Sequence, residues 1–268
     1  MKPFLKWAGN KYAIIERIKR LLPESPRLIE PFAGSAAVFL GTDYPSALLA
    51  DSNADLIHLY QLLQKEGDAF IAYASELFTL ENNREDNYYT LRSEFNSTDD
   101  ICRKSALFLY LNRHGYNGLC RYNAKGGFNV PFGRYGKPYF PRKEMVEFSA
   151  KAKHAEFRVA DFRSVMMEAR AGDVVYCDPP YVPLSRTANF TSYGTGKFGE
   201  AEQAALAILA ESLAARGVTV VISNHDTEFT VQAYRNAALK RFDVQRNISC
   251  NGQNRGKAKE LLALFTAA

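Results

Sequence analysis

Residues 178–181 read Asp-Pro-Pro-Tyr and directly follow an apolar run, VVYC, that predicts a buried strand. A carboxylate oxygen of Asp178 and the backbone carbonyl of Pro179 would form two neighbouring hydrogen-bond acceptors, because the prolines stiffen the backbone and lack N–H groups. Such a pair suits an NH₂ group, which has two donors. Tyr181 adds a flat face for stacking. A capped turn after a strand is the alternative explanation, and the tetrapeptide alone does not exclude it.

A second segment, EPFAGSAAVF at residues 30–39, has the composition of a cofactor-binding turn. A strand is predicted to end at its Pro-Phe pair, and Gly34 would let a ligand approach the backbone at the start of a helix. Asp51 ends the next predicted strand, where a carboxylate can accept hydrogen bonds from ribose hydroxyls. A tight turn and a helix-capping Asp remain the alternative. The chain lacks both the GxGxxG fingerprint and a P-loop.

Predicted strands alternate with predicted helices along most of the chain. The strands are expected at 27–32, 46–51, 155–161, 172–178, 217–223, 241–249 and 260–265, and a long amphipathic helix at 199–217. This alternation predicts an α/β fold with a mostly parallel sheet and helices on both faces. Ligands in such folds bind beyond the carboxyl ends of the strands, so Gly34, Asp51 and Asp178 are expected at one edge.

The middle of the chain departs from this alternation. Residues 53–112 are predicted to be mostly helical, and residues 115–140, rich in Gly, Asn and Pro, predict loops or a hairpin. We therefore expect one domain built from residues 1–55 and 145–268, with a second domain, residues 56–144, inserted into it.

The inserted region is strongly basic. Residues 101–143 contain nine Lys or Arg, nine aromatic residues and no Asp or Glu, although the whole chain of 268 residues carries a net charge of only +5. Interleaved basic and aromatic residues are typical of surfaces that contact phosphates and stack on bases. A solvated basic face is the alternative. The complete absence of acids over this stretch favours nucleic acid as the partner.

Other classes of protein are excluded by composition. The chain has no apolar run of membrane-spanning length and no signal peptide pattern, so we expect no membrane association and a cytoplasmic location. Its four cysteines lack CxxC spacing, which argues against a zinc site and against a disulfide framework. We expect no metal, and the sequence indicates no obligate protein partner.

In several blocks the chain resembles the DNA adenine methyltransferases of the Dam type, which belong to the alpha group of S-adenosylmethionine-dependent amino-methyltransferases. The blocks are FLKWAGNK (4–11), EPFAGSAAVF, LNRHGYNGLCRYN (111–123), FNVPFGRYGKPYFP (128–141), DPPY and TANFTSY (187–193). The resemblance implies a seven-stranded Rossmann-like methyltransferase sheet with an inserted, mainly helical target-recognition domain carrying a hairpin or loop. It also implies methylation of adenine N6 in double-stranded DNA at GATC, on a base flipped out of the helix.

The resemblance assigns roles to individual residues of the site. Asp178 and the Pro179 carbonyl would bind the target amine, and Tyr181 would stack on the flipped base. The residues expected at the cofactor are Trp7, Lys11, Phe32, Gly34, Asp51, Asp161, Phe162 and Asp178. Asp161 and Phe162 would contact the cofactor's adenine.

The resemblance likewise implies a set of DNA contacts. Arg121 would contact a guanine edge with two hydrogen bonds, and Leu119 and Pro131 would touch a thymine methyl group. Tyr116 and Asn117 would enter the base stack near the extruded base. The outer base pair on the other side would be contacted by Lys6, and the backbone or flanking positions by Arg92, Arg113, Asn123, Arg134 and Tyr135.

Two positions depart from the family pattern. Asn10 and Ala36 each stand where a glycine is usual. We expect the alanine to weaken cofactor binding without changing the chemistry. A family resemblance of this kind also leaves the source open, with action on a bacterial nucleoid or, for a phage enzyme, in the host cytoplasm.

Three other functions fit the sequence less well than adenine methylation. Enzymes that methylate RNA, protein amides or cytosine N4 more often carry Asn or Ser before the two prolines, so Asp178 counts against them. A DNA-binding protein without catalysis would not need both DPPY and Asp51. A nicotinamide oxidoreductase would need the missing glycine fingerprint, and it would not explain the basic segment.

Overall fold

The structure, a computed structural model, describes residues 1–182, 198–245 and 257–267. The block TANFTSY at 187–193 and the last residues of the strand predicted at 241–249 lie outside these ranges. The described part of the chain contains no helix that is both long and apolar enough to cross a membrane. Over the same ranges, no cluster of His, Cys, Asp and Glu side chains has the arrangement of a metal site.

The predicted strands form one sheet. The strands are β1 Arg27–Glu30, β2 Ser46–Asp51, β3 Ala155–Val159, β4 Val174–Cys177, β5 Thr219–His225, β6 Ala238–Gln245 and β7 Lys257–Phe265. Their spatial order is β3-β2-β1-β4-β5-β7-β6. β1 to β5 are parallel to one another, and β7 runs antiparallel between β5 and β6. The predicted α/β fold with a seven-stranded sheet is confirmed.

Helices join most of the strands. They are α1 Ile15–Lys19, α2 Ala37–Gly41, α3 Ala54–Glu66, α4 Asp68–Ser75, α5 Glu85–Ser97, α6 Ile101–His114, α7 Arg142–Ala152, α8 Phe162–Met167, α9 Glu200–Ala215 and α10 Glu228–Ala233. Two 3₁₀ turns cover Lys11–Ile14 and Tyr116–Gly118. Side chains define the helix ends where they cap free N–H groups: Asn53 caps α3 and Asp100 caps α6.

Within the described ranges the strand ends differ from the prediction by up to three residues in several places, and two of these differences have a clear cause. β1 ends at Glu30, two residues earlier than expected, since the chain turns at Pro31 and the N–H of Ala33 donates to the carbonyl of Ala50. β6 begins at Ala238, earlier than predicted, because pairing with β7 runs from that residue onward. Cross-strand pairing of this kind is a tertiary effect that local composition does not encode.

Alternate residues of each central strand feed two hydrophobic clusters, one on each face of the sheet. Leu28 and Val174 belong to the first cluster, whereas Ile29 and Val175 belong to the second, which packs against α8 and α9. The first cluster continues through Phe157 into the helical region, as far as buried residues on α5 and α6. The region predicted as an insertion thus shares a core with one face of the sheet.

Residues 115–133, here called the recognition segment, form a short antiparallel hairpin stacked on α5 and α6. Isolated bridges join Tyr122 to Phe128 and Gly115 to Phe132. The amide of Asn96 on α5 both accepts from the N–H of Phe128, at 2.7 Å, and donates to its carbonyl, at 3.1 Å. These contacts fix an irregular segment to a helical base, which is how a loop is made into a rigid binding surface.

Candidate active site and nucleic-acid interface

Asp178 directly follows β4, at the edge formed by the carboxyl ends of the parallel strands. Nζ of Lys11 lies 2.8 Å from its Oδ1, and the hydroxyl of Ser223 donates to the same oxygen at 2.9 Å. The ammonium of Lys11 is also 4.6 Å from the centroid of the Tyr181 ring. Lys11, expected at the cofactor, therefore contacts the predicted amine-binding acid.

The residues after Asp178 are held rigidly. The Pro180 carbonyl accepts a hydrogen bond from the amide of Gln203 at 2.7 Å, and the Tyr181 ring packs edge-on against His225 at 4.7 Å. Among the residues that the structure describes, none donates a hydrogen bond to the carbonyl of Pro179. Asp178 and Pro179 therefore lie together at this edge, Asp178 half-buried and Pro179 buried, and their joint role as acceptors stays a prediction.

The predicted cofactor turn lies on the same edge. Oδ2 of Asp51 accepts from the N–H of Gly34 at 3.0 Å, and Oδ1 accepts from the N–H of Asn53 at 2.9 Å. Burial raises the pKa of Asp51, and these N–H groups oppose that shift. Gly34 has a φ of +46°, and a Cβ built on it would lie 2.9 Å from Nε1 of Trp7. Glycine is required here by both the backbone and the indole.

The two departures from the family pattern behave differently. Asn10 has a φ of −48°, and its side chain accepts from the N–H of Tyr12, so this residue caps the first turn without strain. Ala36 has a φ of +56°, a left-handed conformation that glycine adopts more easily, and is fully buried. The methyl group of Ala36 thus belongs to the hydrophobic core. Weaker cofactor binding through Ala36 remains a prediction.

Three phenylalanine side chains, one of them from this segment, pack against one another. Phe32 stacks on Phe162 with ring centroids 5.3 Å apart, and Phe198 packs edge-on against Phe32 at 5.5 Å. Asp161 caps α8, where its side chain accepts from the N–H of Arg163. Of the two residues expected at the cofactor's adenine, Phe162 is buried in this cluster and Asp161 is exposed.

Glu30, at the end of β1, is a buried carboxyl group that the sequence did not single out. Its Oε1 accepts a hydrogen bond of 2.6 Å from the N–H of Phe39, at the start of α2. Burial raises the pKa of Glu30 to about 8; this N–H opposes the shift, and the charge of Asp178 adds to it. Its position in a strand sequence gave no indication of this role, because charged residues at strand ends are usually solvated.

Glu30 should make the stability of the protein depend on pH. The carboxyl keeps its proton in the fold up to a pH near 8 but ionises near its ordinary pKa when unfolded, so stability falls as pH rises between these values. Replacing Glu30 by Gln should flatten this slope, a difference on the order of a few kcal/mol between about pH 5 and pH 8. Urea unfolding at both pH values measures it.

A matched control is Glu94→Gln. Arg103 lowers the pKa of Glu94, so this carboxyl is ionised in both folded and unfolded protein over the same pH range. Its loss should lower stability without changing the slope. An unchanged slope in Glu30→Gln would show that Glu30 is ionised in the fold.

Arg121 lies on one arm of the recognition segment, opposite Asn129 on the other. Its Nε donates to the Asn129 side-chain oxygen at 2.7 Å, and its Nη2 donates to the Asn129 carbonyl at 3.1 Å. Both partners are neutral, so the guanidinium is oriented while its charge is kept. Of its five N–H donors, three remain for a ligand.

Several predicted DNA-contacting residues line one cleft. Lys6, Arg113, Asn117 and Tyr135 face it together with Trp7. Nζ of Lys6 is 4.1 Å from the centroid of the Tyr135 ring, and the Tyr135 hydroxyl accepts from the N–H of Asn117 at 2.9 Å. Burial lowers the pKa of Lys6, and the positive charge of Arg113 lowers it further by a smaller amount. The N-terminal segment and the recognition segment thus form one continuous surface.

This junction depends on Asn112, a residue of α6 that the sequence did not single out. Its side chain accepts from the N–H of Lys6 at 2.9 Å and donates to the carbonyl of Lys6 at 2.7 Å. Gly118 packs so closely that a Cβ there would lie 2.3 Å from Cβ of Lys6. Only the folded chain brings residue 6 to residues 112–118.

The other predicted DNA contacts fall into two groups. Tyr116, Pro131 and Arg134 are exposed and open to a ligand. The remaining residues have structural partners: the Asn123 side chain closes the hairpin turn, Leu119 is half-buried, and Arg92 donates to the Val130 carbonyl at 2.9 Å. Arg113 is buried, with its guanidinium 5.4 Å from the Tyr139 ring centroid. Arg113 also faces the cleft beside Lys6, and the DNA contacts of Arg92 and Arg113 stay predictions.

Comparison with known proteins adds to this geometry. A family model described as D12 class N6 adenine-specific DNA methyltransferase matches residues 7–248. A protein named DNA adenine methylase from Vibrio cholerae is 53% identical over 266 residues, which cover 99% of this chain and 96% of that protein. Proteins with the same name are 52% identical in Serratia marcescens, over 98% of both chains, and in Escherichia coli K12, over 98% of this chain and 95% of that one.

Proposed function

Because the chain belongs to the D12 class of N6 adenine-specific DNA methyltransferases, and so is an enzyme that methylates adenine in DNA, we propose a specific reaction for it. It transfers the methyl group of S-adenosylmethionine to N6 of an adenine within GATC in double-stranded DNA. The paired acceptors of Asp178 and Pro179, at the edge of the sheet shared with Gly34 and Asp51, carry this proposal.

The amine of adenine is a poor nucleophile because its lone pair is delocalised into the ring. Asp178 and the Pro179 carbonyl each accept one N–H, which holds the nitrogen pyramidal and localises the lone pair. The carboxylate also stabilises the positive charge that develops on nitrogen, before a proton is lost. Tyr181 stacks on the base. Positioning and electrostatics supply most of the rate, and no covalent bond to the protein is needed.

The cofactor site fits S-adenosylmethionine. Asp51 has one N–H on each oxygen and a lone pair left on each for a ribose hydroxyl, while Gly34 leaves the backbone approachable beside Trp7. Phe32 and Phe162 form an apolar wall, and Asp161 is exposed beside them. When bound, the cofactor supplies a methyl group made electrophilic by its sulfonium.

DNA binding is assigned to residues 56–144 together with Lys6. The target amine is inside a duplex, so the base must leave the stack, at a cost of a few kcal/mol. Tyr116 and Asn117 occupy the gap, Leu119 and Pro131 contact a thymine methyl, and Arg121 contacts a guanine. The backbone and flanking positions fall to Arg134, Asn123 and Tyr135. Arg92 and Arg113, which also support this surface, are further backbone or flanking contacts. The enzyme acts on DNA in the cytoplasm, without a metal.

A methylation assay with short duplexes tests the proposal. A duplex with one GATC should acquire a methyl group from S-adenosylmethionine and then resist a nuclease that cuts only unmethylated GATC. Duplexes with one base pair changed, a duplex already methylated at both adenines, and an RNA duplex are the controls. Methylation of all sequences alike would overturn the GATC assignment, and labelled cytosine would overturn the proposed amine.

The cofactor is tested separately, without DNA. S-Adenosylmethionine or its demethylated product should raise the melting temperature of the protein, as any ligand of the folded state does. NAD should have no effect. An increase of the melting temperature with NAD alone would instead support the nicotinamide oxidoreductase function.

A further inference from the structure

Two buried hydroxyl groups stand behind Asp178, and the reaction as described does not use them. Ser223, on β5, is fully buried and follows Ile222, which pairs with Cys177 of β4, so it lies beside Asp178. The hydroxyl of Tyr176, a buried residue of β4, donates to the Ser223 hydroxyl at 3.1 Å. The pair lies in the core at the end of the strands that carry the site.

Both hydroxyls of this pair donate their hydrogen bonds in the same direction, towards Asp178. Burial raises the pKa of Tyr176 well above its ordinary value, so Tyr176 keeps its proton and acts as the donor. Ser223 then donates its own proton. Oδ1 of Asp178 lies at 2.9 Å and the Cys177 carbonyl at 3.3 Å, and a charged acceptor makes the stronger bond. The chain therefore runs from Tyr176 through Ser223 to Asp178.

The two carboxylate oxygens of Asp178 have different hydrogen-bonding surroundings. Oδ1 has Ser223 and the ammonium of Lys11 as neighbours, at 2.9 and 2.8 Å. No residue in the described ranges donates a hydrogen bond to Oδ2. A carboxylate held by one oxygen has a fixed plane, and its second oxygen then has a fixed direction relative to the Pro179 carbonyl.

We propose that Ser223, supported by Tyr176, is a positioning residue that holds Asp178 by Oδ1 and aims Oδ2 at the target amine. The inference rests on the proposed role of Asp178 and deepens it. Catalysis by two acceptors depends on the angle between them, because the lone pair of the amine points along the direction that they leave free. Ser223 fixes the position of one of these acceptors, the Asp178 carboxylate, without touching the substrate.

The test compares Ser223→Ala, Tyr176→Phe and the double variant. Ser223→Ala leaves the Tyr176 hydroxyl buried without its acceptor, which lowers stability, whereas the double variant removes both hydroxyls, so that neither is left without its partner in the pair. Single-turnover methyl transfer to a GATC duplex should fall by about 10- to 100-fold in Ser223→Ala and in the double variant. Tyr176→Phe should lose less, because Ser223 still reaches Asp178.

Ground-state binding is the readout that separates positioning from folding. The dissociation constants for DNA and for S-adenosylmethionine should stay within about twofold of wild type, since Ser223 touches neither ligand. Ser105→Ala, which removes another buried serine hydroxyl on α6, should leave the methyl-transfer rate unchanged.

A wild-type rate in a folded Ser223→Ala protein would overturn the inference. So would a parallel loss of rate and of both affinities in the double variant, since that marks a merely structural role. The proposed function fails by a different result, namely full activity in Asp178→Ala. An inactive Asp178→Ala beside a fully active Ser223→Ala would remove the inference and leave the proposed function standing.

Discussion

Replacing Asp178 by alanine should reduce methyl transfer by about 10³-fold while the protein still binds DNA. The variant loses the carboxylate acceptor for the amine and the negative charge that stabilises the developing positive charge on nitrogen. The Pro179 carbonyl remains, but one acceptor does not hold the lone pair in a single direction. Single-turnover kinetics with saturating cofactor and a GATC duplex measure the loss.

DNA affinity should be unchanged or slightly higher in this variant. Asp178 is paired with the buried Lys11, so its removal leaves that ammonium unpaired and makes the site more positive, which does not oppose binding of the DNA polyanion. Asp43→Ala is the matched control, because the side chain of Asp43 is almost fully exposed and pairs with Lys151. It should keep the wild-type rate. Measurable turnover by Asp178→Ala at the wild-type rate would contradict the assigned role.

Asparagine at position 178 is informative about the geometry. Its oxygen should turn towards Lys11 and Ser223, which both donate, and its NH₂ would then face the target amine, donor against donor. We therefore expect Asp178→Asn to be nearly as inactive as the alanine variant, although asparagine keeps the size and one acceptor of the side chain.

The strand periodicity and the residues at the strand ends were sufficient to predict this edge of the sheet. A buried run such as VVYC ends at the edge in any parallel sheet, so Asp178, Gly34 and Asp51 could be brought together from their positions alone. Their chemistry follows from residue type. The same holds for the acid-free basic segment, whose charge needs no fold to be noticed.

The partners of these residues could not be predicted in the same way. Lys11 and Ser223 reach Asp178 from positions 167 residues before and 45 residues after it, a relation that only tertiary folding creates. Glu30 ends a strand just as Asp51 does, yet it is buried against α2 with a raised pKa. Nothing in the sequence indicated that Arg92 donates to the Val130 carbonyl or that the Arg113 guanidinium lies against the Tyr139 ring.

Arg121→Ala should relax discrimination at a single base pair of the target. A guanidinium that makes two hydrogen bonds to a guanine edge contributes about 1–3 kcal/mol of discrimination, or roughly 5- to 150-fold. Methylation rates with one GATC duplex and a set of duplexes, each altered at one position, give the ratio at every position. The ratio should collapse at one guanine and stay close to wild type elsewhere.

Arg134→Ala, one residue beyond the recognition segment, is the matched control. The side chain of Arg134 is 76% exposed and lies only 3.3 Å from a carboxylate of Glu85, a weak surface pair. As a phosphate contact, it should weaken binding to all duplexes alike and reduce the salt dependence of affinity. If Arg121→Ala also lost affinity equally on every duplex, Arg121 would be a phosphate contact as well.

Arg121→Lys separates charge from shape at this position. The side-chain oxygen and the carbonyl of Asn129 accept hydrogen bonds from Nε and Nη2 of Arg121. The remaining N–H donors of Arg121 therefore point away from Asn129, on a planar group whose orientation is fixed. Lysine keeps the charge but has neither the planar fork nor the Nε that Asn129 holds. Overall DNA affinity should therefore stay near that of the wild type, while discrimination at the one guanine falls almost as far as in the alanine variant. Retained discrimination in Arg121→Lys would mean that charge, not the oriented guanidinium, reads this base.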